Sequence, residues 1–138
     1  MSKVLAVRIN GSVKDCKDYK GSVTKEDLKD CTRAAWCLAE PGDVKYVLAV
    51  LDGKVEEVFE VKEWYKSELG VSGVRDLPDW RKNNPKYIDD VRGHSPARWC
   101  FEGEAVADKS KFSDQVDKGV LMSFNSEQNP VKYLDLNI

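Results

Sequence analysis

The sequence has no apolar run long enough to cross a membrane and no recognisable secretion signal. A membrane-spanning helix needs about 18 consecutive apolar residues. The first apolar run, Val4–Ile9, is far shorter, and no small-residue cleavage site follows it. Neither sign of charge dominates, because 22 Lys and Arg residues face 24 Asp and Glu residues. We therefore predict a cytoplasmic protein without membrane contact, and not a strong non-specific DNA binder, which would normally be basic.

The side chains that build metal and catalytic sites are scarce. The only histidine is His94, and none of the four cysteines forms a CxxC pair. A zinc site needs about four Cys or His ligands, usually in close pairs. No Walker loop and no GxGxxG segment is present. We expect no metal site and no cofactor, and we favour a protein that is not an enzyme. An enzyme with a nucleotide-like substrate stays an alternative if His94 or an acidic cluster lies in a pocket. The cysteines are predicted to be reduced and largely buried.

The stretch from Lys45 to Tyr65 predicts a β-hairpin around which the rest of the chain is arranged. Asp52-Gly53 is a strong signal for a two-residue type I′ turn. If Leu51 pairs with Lys54, paired positions sum to 105, and the apolar face specifies this register well. That face then carries four pairs: Val50 with Val55, Leu48 with Glu57, Tyr46 with Phe59, and Val44 with Val61.

The opposite face of the hairpin is half polar but still contains Val47, Leu51 and Val58. Both faces therefore need cover, which a closed or nearly closed barrel with a helix packed outside it would provide. The length of 138 residues suits one domain. We predict a single α+β domain over residues 1–138, built as a small, mostly antiparallel β-barrel with flanking helices.

The remaining segments predict further elements of this domain. Strands are expected over Val4–Ile9, 98–108 and 131–138, with residues 13–23 as a loop. A helix is expected over 24–39, because Thr24 with Asp27 resembles a capping box and an apolar stripe follows at helical spacing (Leu28, Cys31, Ala35 and Leu38). Ser110 is expected to cap a short helix that carries Phe112 and Val116 and ends at Gly119.

Residues 66–97 predict an irregular insertion, with a short helix near Tyr87–Val91. The stretch from Arg81 to Arg98 has five positive and two negative side chains and is the most basic part of the chain. A solvated loop explains this composition. A loop of this length inside a compact domain is also often functional, so the insertion is a candidate surface for a protein partner.

Aromatic side chains and arginines are paired at three places: Arg33 with Trp36, Trp64 with Tyr65 at the end of the hairpin, and Arg98 with Trp99. Such side chains can stack on a flat ring and hold a phosphate or a carboxylate. A small barrel also needs large residues in its core, and the four tryptophans of the chain could serve that purpose alone. Both interpretations stay open at this point.

Four segments carry a family resemblance: CTRAAW (31–36), KYVLAVLDGKVEEVFEVKEWY (45–65), RWCFEGEAVAD (98–108) and QNPVKYLDL (128–136). In this order they resemble a domain found at the C-terminal side of bacterial GIY-YIG nuclease-like proteins. The nuclease region itself is lacking, so no cleavage activity is implied. Where the family often shows Gly-Lys-Ser-Val, this chain has DKGVLMSF (117–124). The element order also looks like the PUA-like superfamily, which includes ASCH, EVE and YTH domains.

The resemblance implies a recognition module that binds nucleic acid, including a modified base, or a nucleotide-like ligand in a cleft between helix 24–39 and the barrel. Arg33 would supply charge, Trp36 a stacking face, and Gln128 or Asn129 polar contacts to a base edge. The alternative is a protein-interaction or inhibitor domain that acts through the basic insertion 66–97. The positions that match the family pattern are Thr32, Arg33, Trp36, Trp64, Arg98, Trp99, Gln128, Asn129 and Pro130.

Overall fold

In a computed structural model of the chain, the residues described are 1–33, 36–37, 41–67, 74–83, 98–127 and 129–138. The strands found there are β1 (Ser2–Arg8), β2 (Trp36–Cys37), β3 (Tyr46–Leu51), β4 (Lys54–Ser67), β5 (Arg98–Ala105) and β6 (Val131–Leu136). The helices found there are α1 (Asn10–Lys20), α2 (Lys25–Thr32), α3 (Asp79–Lys82), α4 (Ser110–Ser113) and α5 (Lys118–Phe124). None of these helices has the length and apolar composition that a membrane crossing requires.

The six strands form one sheet in the order β2-β5-β4-β3-β1-β6. Strands β1 and β3 are parallel, and every other neighbouring pair is antiparallel. The predicted α+β class is confirmed. Within the described part of the chain the sheet is open, with β2 and β6 as its edge strands, so the predicted closed barrel is not confirmed.

Helices cover both faces of the sheet, and a separate hydrophobic core lies under each cover. Core 1 lies on the face covered by α1 and α2 and includes Leu5, Val7, Ile9, Val13, Cys16, Cys31, Val47, Phe59, Trp80 and Phe101. Core 2 lies on the face covered by α4 and α5 and includes Val4, Leu48, Val50, Val55, Val58, Phe112, Leu121, Phe124 and Leu136. The cover that the hairpin requires on its two faces thus comes from helices on both sides of an open sheet.

The hairpin turn is confirmed, but the predicted register holds for only two residue pairs. Asp52 and Gly53 have φ of 51° and 76°, as a type I′ turn requires. The pairs Leu51 with Lys54 and Val50 with Val55 are as predicted. At Glu56 a β-bulge shifts the ladder by one residue. The bulge places Val58, instead of the charged Glu57, opposite Leu48 in core 2.

The same shift corrects the predicted face of Phe59. Phe59 pairs with Val47 and not with Tyr46, and both residues lie in core 1. Tyr46 instead pairs with Glu60 and packs against core 2. The physical reason is that a slip of one residue exchanges the two faces of a strand.

Helix α1 takes up residues 13–20 of the segment 13–23 that was predicted as a loop, so the prediction is wrong for these residues. Only Val13 and Cys16 of this helix are buried, and two positions are too few to reveal an apolar stripe. Other helix signals are present in the structure. Lys14 and Asp18 form an i,i+4 ion pair, and Gly21 ends the helix with φ of 85°.

Helix α2 begins as predicted and ends earlier than predicted. Thr24 and Asp27 form the capping box. The helix ends at Thr32, and Trp36 lies on the short strand β2 instead of on the helix. Other donors take the last helical carbonyls: the indole Nε1 of Trp36 donates to the Thr32 carbonyl (2.7 Å), and the Phe101 amide donates to that of Arg33 (3.0 Å). The predicted stripe positions Ala35 and Leu38 lie outside the described residues.

The predicted insertion 66–97 is regular in part. Strand β4 continues to Ser67, and residues 74–83 include the one-turn helix α3, whose Trp80 lies in core 1. Irregular structure is therefore the wrong description for residues 66–67 and for α3, whereas residues 74–78 have no regular structure. The predicted helix at Tyr87–Val91 and the loop that contains His94 lie outside the described residues.

Strand β5 confirms the prediction for the segment after Arg98, with Trp99 and Phe101 packed on core 1. The ladder between β4 and β5 shifts at Lys62, opposite Gly103. A Cβ atom at Gly103 would meet the carbonyl oxygen of Glu60, which explains glycine at this close approach.

The predicted helix from Ser110 to Gly119 is two helices. Helix α4 ends at Ser113, and Asp117 is the N-cap of α5, where it accepts hydrogen bonds from the amides of Gly119 (2.7 Å) and Val120 (3.2 Å). Gly119 therefore lies in the first turn of a helix, and its predicted role as a helix end is wrong. The last strand is confirmed, with Leu134, Leu136 and Ile138 on core 2.

Candidate functional site

Arg33 is a buried cation directly after α2, with only 4% of its surface exposed. Its Nε donates to Asp30 Oδ1 (2.8 Å), its Nη1 to the Arg75 carbonyl (2.7 Å) and its Nη2 to the Asp76 carbonyl (2.8 Å). Burial lowers the pKa of Arg33, but the hydrogen bond and charge of Asp30 outweigh this effect, so the pKa is raised. The guanidinium thus ties the end of α2 to the segment 74–83.

Thr32 and Trp36 lie beside Arg33 and are also buried. The hydroxyl of Thr32 donates to the Leu28 carbonyl (2.6 Å), and Trp36 is 9% exposed with its indole bonded to the Thr32 carbonyl. In this arrangement the Trp36 ring forms part of core 1. The structure therefore brings Thr32, Arg33 and Trp36 together at the end of α2.

The other aromatic and arginine candidates lie on the neighbouring strands. Trp64 donates from Nε1 to the Val44 carbonyl (2.8 Å) and packs edge-on against Phe101. Trp99 pairs with Trp36 across β5 and β2, and Arg98 pairs with Cys37. Trp64 and Trp99 pack against core 1. Together with Trp36 and Trp80, all four tryptophans of the chain lie in or against this core.

The segment 74–83 passes around the sheet beside β5 and contacts both faces. Val74 and Leu77 pack against Cys100 and Tyr65, whose side chains point away from core 1. Three residues later, Trp80 is buried in core 1, and Arg81 donates to the Asp30 carbonyl (2.9 Å). Between these contacts, the carbonyls of Arg75 and Asp76 accept hydrogen bonds from Arg33.

A cavity of about 680 Å³ opens beside this segment, and its lining among the described residues is Val74, Asp76, Leu77 and Lys82. Asp76 has φ of 50°, a conformation that non-glycine residues adopt rarely and at a cost of about 1–3 kcal/mol. The strain is maintained by the bond from Arg33 to the Asp76 carbonyl. The described part of the cavity wall thus combines apolar surface, one carboxylate and one ammonium group.

Next to the cavity, Arg75 stacks on an aromatic ring of the sheet. Its guanidinium lies 4.1 Å from the centre of the Tyr65 ring, and it pairs with Glu63 at 2.7 and 3.2 Å. The hydrogen bond from Arg75 lowers the pKa of Glu63. About half of each of these two charged side chains is exposed to solvent.

Asn129 lies far from this group of residues. It precedes β6, the edge strand opposite β2, and its Oδ1 accepts from the Val131 amide (3.2 Å). Four strands lie between β2 and β6, a separation on the order of 20 Å at the usual strand spacing. Gln128 lies outside the described residues. The structure therefore does not bring Asn129 together with Arg33 and Trp36.

The three cysteines with described side chains are free and buried. Burial raises the pKa of Cys31 to about 12 and that of Cys100 to about 11, and it also raises the pKa of Cys16. These thiols are protonated at neutral pH and are weak nucleophiles. In the described ranges, no group of three or more His, Cys, Asp or Glu side chains is arranged to hold a metal ion.

Asp76 and Lys82 are the cavity residues that the sequence analysis missed as individual candidates. Lys82 belongs to the basic stretch 81–98, so the sequence shows its charge but not that it lines a cavity. No glycine lies directly beside Asp76, and although Asp adopts the left-handed conformation more readily than most residues, the sequence does not single out this position.

No family model, curated protein or solved structure matches this chain. A function is therefore inferred from the arrangement of the residues themselves.

Proposed function

We propose that this protein is a non-catalytic recognition module that binds nucleic acid or a nucleotide-like ligand in the cavity beside residues 74–83. The observation that carries the proposal is the strained Asp76 at the cavity wall, held in place by the buried guanidinium of Arg33. Backbone strain of this kind is concentrated at binding sites, where the surrounding structure maintains it. The cavity volume of about 680 Å³ lies in the range of small-molecule sites.

The chemistry of the lining suits the parts of a nucleotide. Lys82 provides a compact cation for a phosphate group. The carboxylate of Asp76 can accept from a base amino group or a ribose hydroxyl. Val74 and Leu77 offer an apolar surface to the flat face of a base.

In this proposal Arg33 and Trp36 act as supports. Arg33 was expected to supply charge to the ligand, but its Nε, Nη1 and Nη2 each bond within the protein. Trp36 was expected to stack, but its ring is buried in core 1. Arg33 is therefore a positioning residue for the cavity wall.

The family resemblance and the PUA-like assignment are kept as parts of the proposal, supported by the order of the quoted segments along the chain. A cytoplasmic location is kept in the same way, supported by the three free cysteines.

The alternative of a protein partner at the basic insertion also stays a proposal. Its test cannot be a deletion of residues 66–97, because that segment contains the buried Trp80 and Arg81. Substitution of exposed basic residues such as Lys82 is the usable form of that experiment.

The proposal is tested by titrating tryptophan fluorescence with AMP, ATP and short oligonucleotides, both unmodified and base-modified. Trp80 lies two residues before Lys82, so a ligand in the cavity should change its emission. We expect Lys82→Ala and Asp76→Asn to weaken binding about tenfold or more, as loss of a charged contact does. The control Lys62→Ala removes an exposed lysine on β4 and should bind like the parent.

Two results would reject the proposal. One is that no nucleotide or oligonucleotide changes the emission. The other is that Lys82→Ala and Asp76→Asn bind as well as the parent while far-UV circular dichroism shows all variants folded.

A further inference from the structure

Among the strands of the described residues, β6 lies at the edge of the sheet, and no strand described there pairs with its outer side. Its inner side pairs with β1, with Val4 opposite Leu134 and Leu5 opposite Tyr133. Unpaired N–H and C=O groups along an edge are a template for another strand.

The hydrogen-bond pattern identifies the open groups. The Arg8 amide donates to the Pro130 carbonyl, and the next residue, Ile9, donates to Val50 of β3 on the other side. In an antiparallel pair, hydrogen-bonded and non-hydrogen-bonded positions alternate. The even-numbered residues of β6 therefore bond to β1. Tyr133 and Asp135 direct their N–H and C=O groups outward, and no described residue bonds to these groups.

Side chains occupy the outer edge at both ends of this window. At the start, Asn129 Oδ1 accepts from the Val131 amide (3.2 Å). At the end, the amide group of Gln115 bonds to both backbone groups of Asn137, with Oε1 2.6 Å from N and Nε2 3.0 Å from O. Gln115 thus takes the place that a residue of a neighbouring strand would take, which shows that this edge accepts an amide partner.

We propose that a second copy of this chain pairs with this edge, antiparallel and about a two-fold axis at Leu134. Tyr133 of each copy then lies opposite Asp135 of the other. Each of these two pairs forms two hydrogen bonds. The four bonds use the N–H and C=O groups of Tyr133 and Asp135 in both copies.

The side chains favour this register over its neighbours. It places Leu134 against Leu134 of the second copy on the face of core 2, and it places no like charges opposite each other. A two-fold axis at Asp135 would set two carboxylates face to face, which is unfavourable across strands. An axis at Tyr133 would require the Val131 amide, which Asn129 already occupies.

Gln115 limits the strength of this association. In the proposed register, Val131 of the second copy approaches the position of the Gln115 amide beside Asn137. Pairing is therefore confined to the short window, and the dimer is expected to be weak and reversible. Removing the Gln115 side chain should lengthen the edge and strengthen the dimer.

The test is residue-resolved amide hydrogen exchange of the full chain at low and high concentration, together with sedimentation equilibrium. We expect the amides of Tyr133 and Asp135 to become protected about tenfold or more as concentration rises. The amides of Lys132 and Leu134, already bonded to β1, should not change.

Variants separate backbone pairing from side-chain contact. Asp135→Pro removes an outward N–H that β1 does not use and should abolish the dimer, whereas Asp135→Asn keeps this N–H and should still pair. Gln115→Ala should sediment as a tighter dimer. The proposal is overturned if exchange at Tyr133 and Asp135 is independent of concentration, or if the parent and Gln115→Ala both sediment as monomers throughout.

Discussion

At the scale of single residues, Arg33 shows how one buried side chain can position a whole segment. A guanidinium presents its donors in a fixed planar fork, and here three of its nitrogens point at three different acceptors. Two of these acceptors are backbone carbonyls of the segment 74–83. Because the position of a carbonyl constrains the backbone around it, the hydrogen bonds from Arg33 position Arg75 and Asp76, and Asp76 lines the cavity.

We therefore predict that Arg33→Lys is destabilising although it keeps the charge. A lysine has one nitrogen and cannot reach three separated acceptors, so buried polar groups lose partners. The free energy of unfolding should fall by about 2–4 kcal/mol, measured by urea denaturation. The matched control is Arg75→Ala in the same segment, where the ion pair is half exposed. It should leave the urea midpoint nearly unchanged, and an equal loss in both variants would contradict the role assigned to Arg33.

Residue identity alone could not reveal this role. Arg33 and Trp36 were recognisable as a pair with binding chemistry, and the structure does place them together. The sequence does not show that both side chains already donate hydrogen bonds to backbone carbonyls of the protein, Arg33 to Arg75 and Trp36 to Thr32. In the same way, the conformation of Asp76 is imposed by Arg33 across more than 40 residues of sequence, a distance at which no local pattern exists.

At the scale of elements, local signals predicted the start of α2 and the hairpin turn, whereas tertiary contacts decided where α2 ends and where β4 bulges. The capping box of Thr24 is a contact between residues three apart, so it was visible in the sequence. The end of α2 depends on the Phe101 amide, which lies far along the chain. The turn at Asp52-Gly53 was likewise visible, whereas the bulge at Glu56 follows from the burial of Val58 in core 2, where a regular ladder would place the charged Glu57.

The bulge makes a prediction about deletions in β4. Removal of Glu56 joins Val55 directly to Glu57 and turns the observed pairing into a regular ladder, so every buried residue keeps its face. Removal of Glu60 would instead exchange the faces of Val61 and Lys62, because the irregularity at Lys62 restores the register from Glu63 onward. Val61 would then leave core 1 and the charged Lys62 would take its place. We expect deletion of Glu56 to cost less than about 1 kcal/mol and deletion of Glu60 about 3 kcal/mol or more.

Thermal unfolding followed by circular dichroism compares these two deletions directly, because both remove one glutamate from the same strand. If the Glu56 deletion is as destabilising as the Glu60 deletion, the bulged residue contributes to the fold in a way that the pairing does not explain.

At the scale of the whole molecule, the two cores share their strands. Alternate residues of β1, β3 and β4 point into core 1 and core 2, so neither core can form without the strands of the other. Leu5 and Leu48 illustrate this relation: both are fully buried, they lie on the paired strands β1 and β3, and they belong to different cores. The sheet therefore couples the two layers of helices.

This coupling predicts that the protein unfolds in one transition, as a single domain should. All four tryptophans report on core 1, whereas far-UV circular dichroism reports on the helices of both layers. Leu5→Ala and Leu48→Ala should each cost about 2–5 kcal/mol. If the layers are coupled, Leu48→Ala in core 2 shifts the tryptophan fluorescence transition as far as it shifts the circular dichroism transition. A Leu48→Ala protein whose fluorescence transition stays at the parent's position would instead show that the α4–α5 layer unfolds on its own.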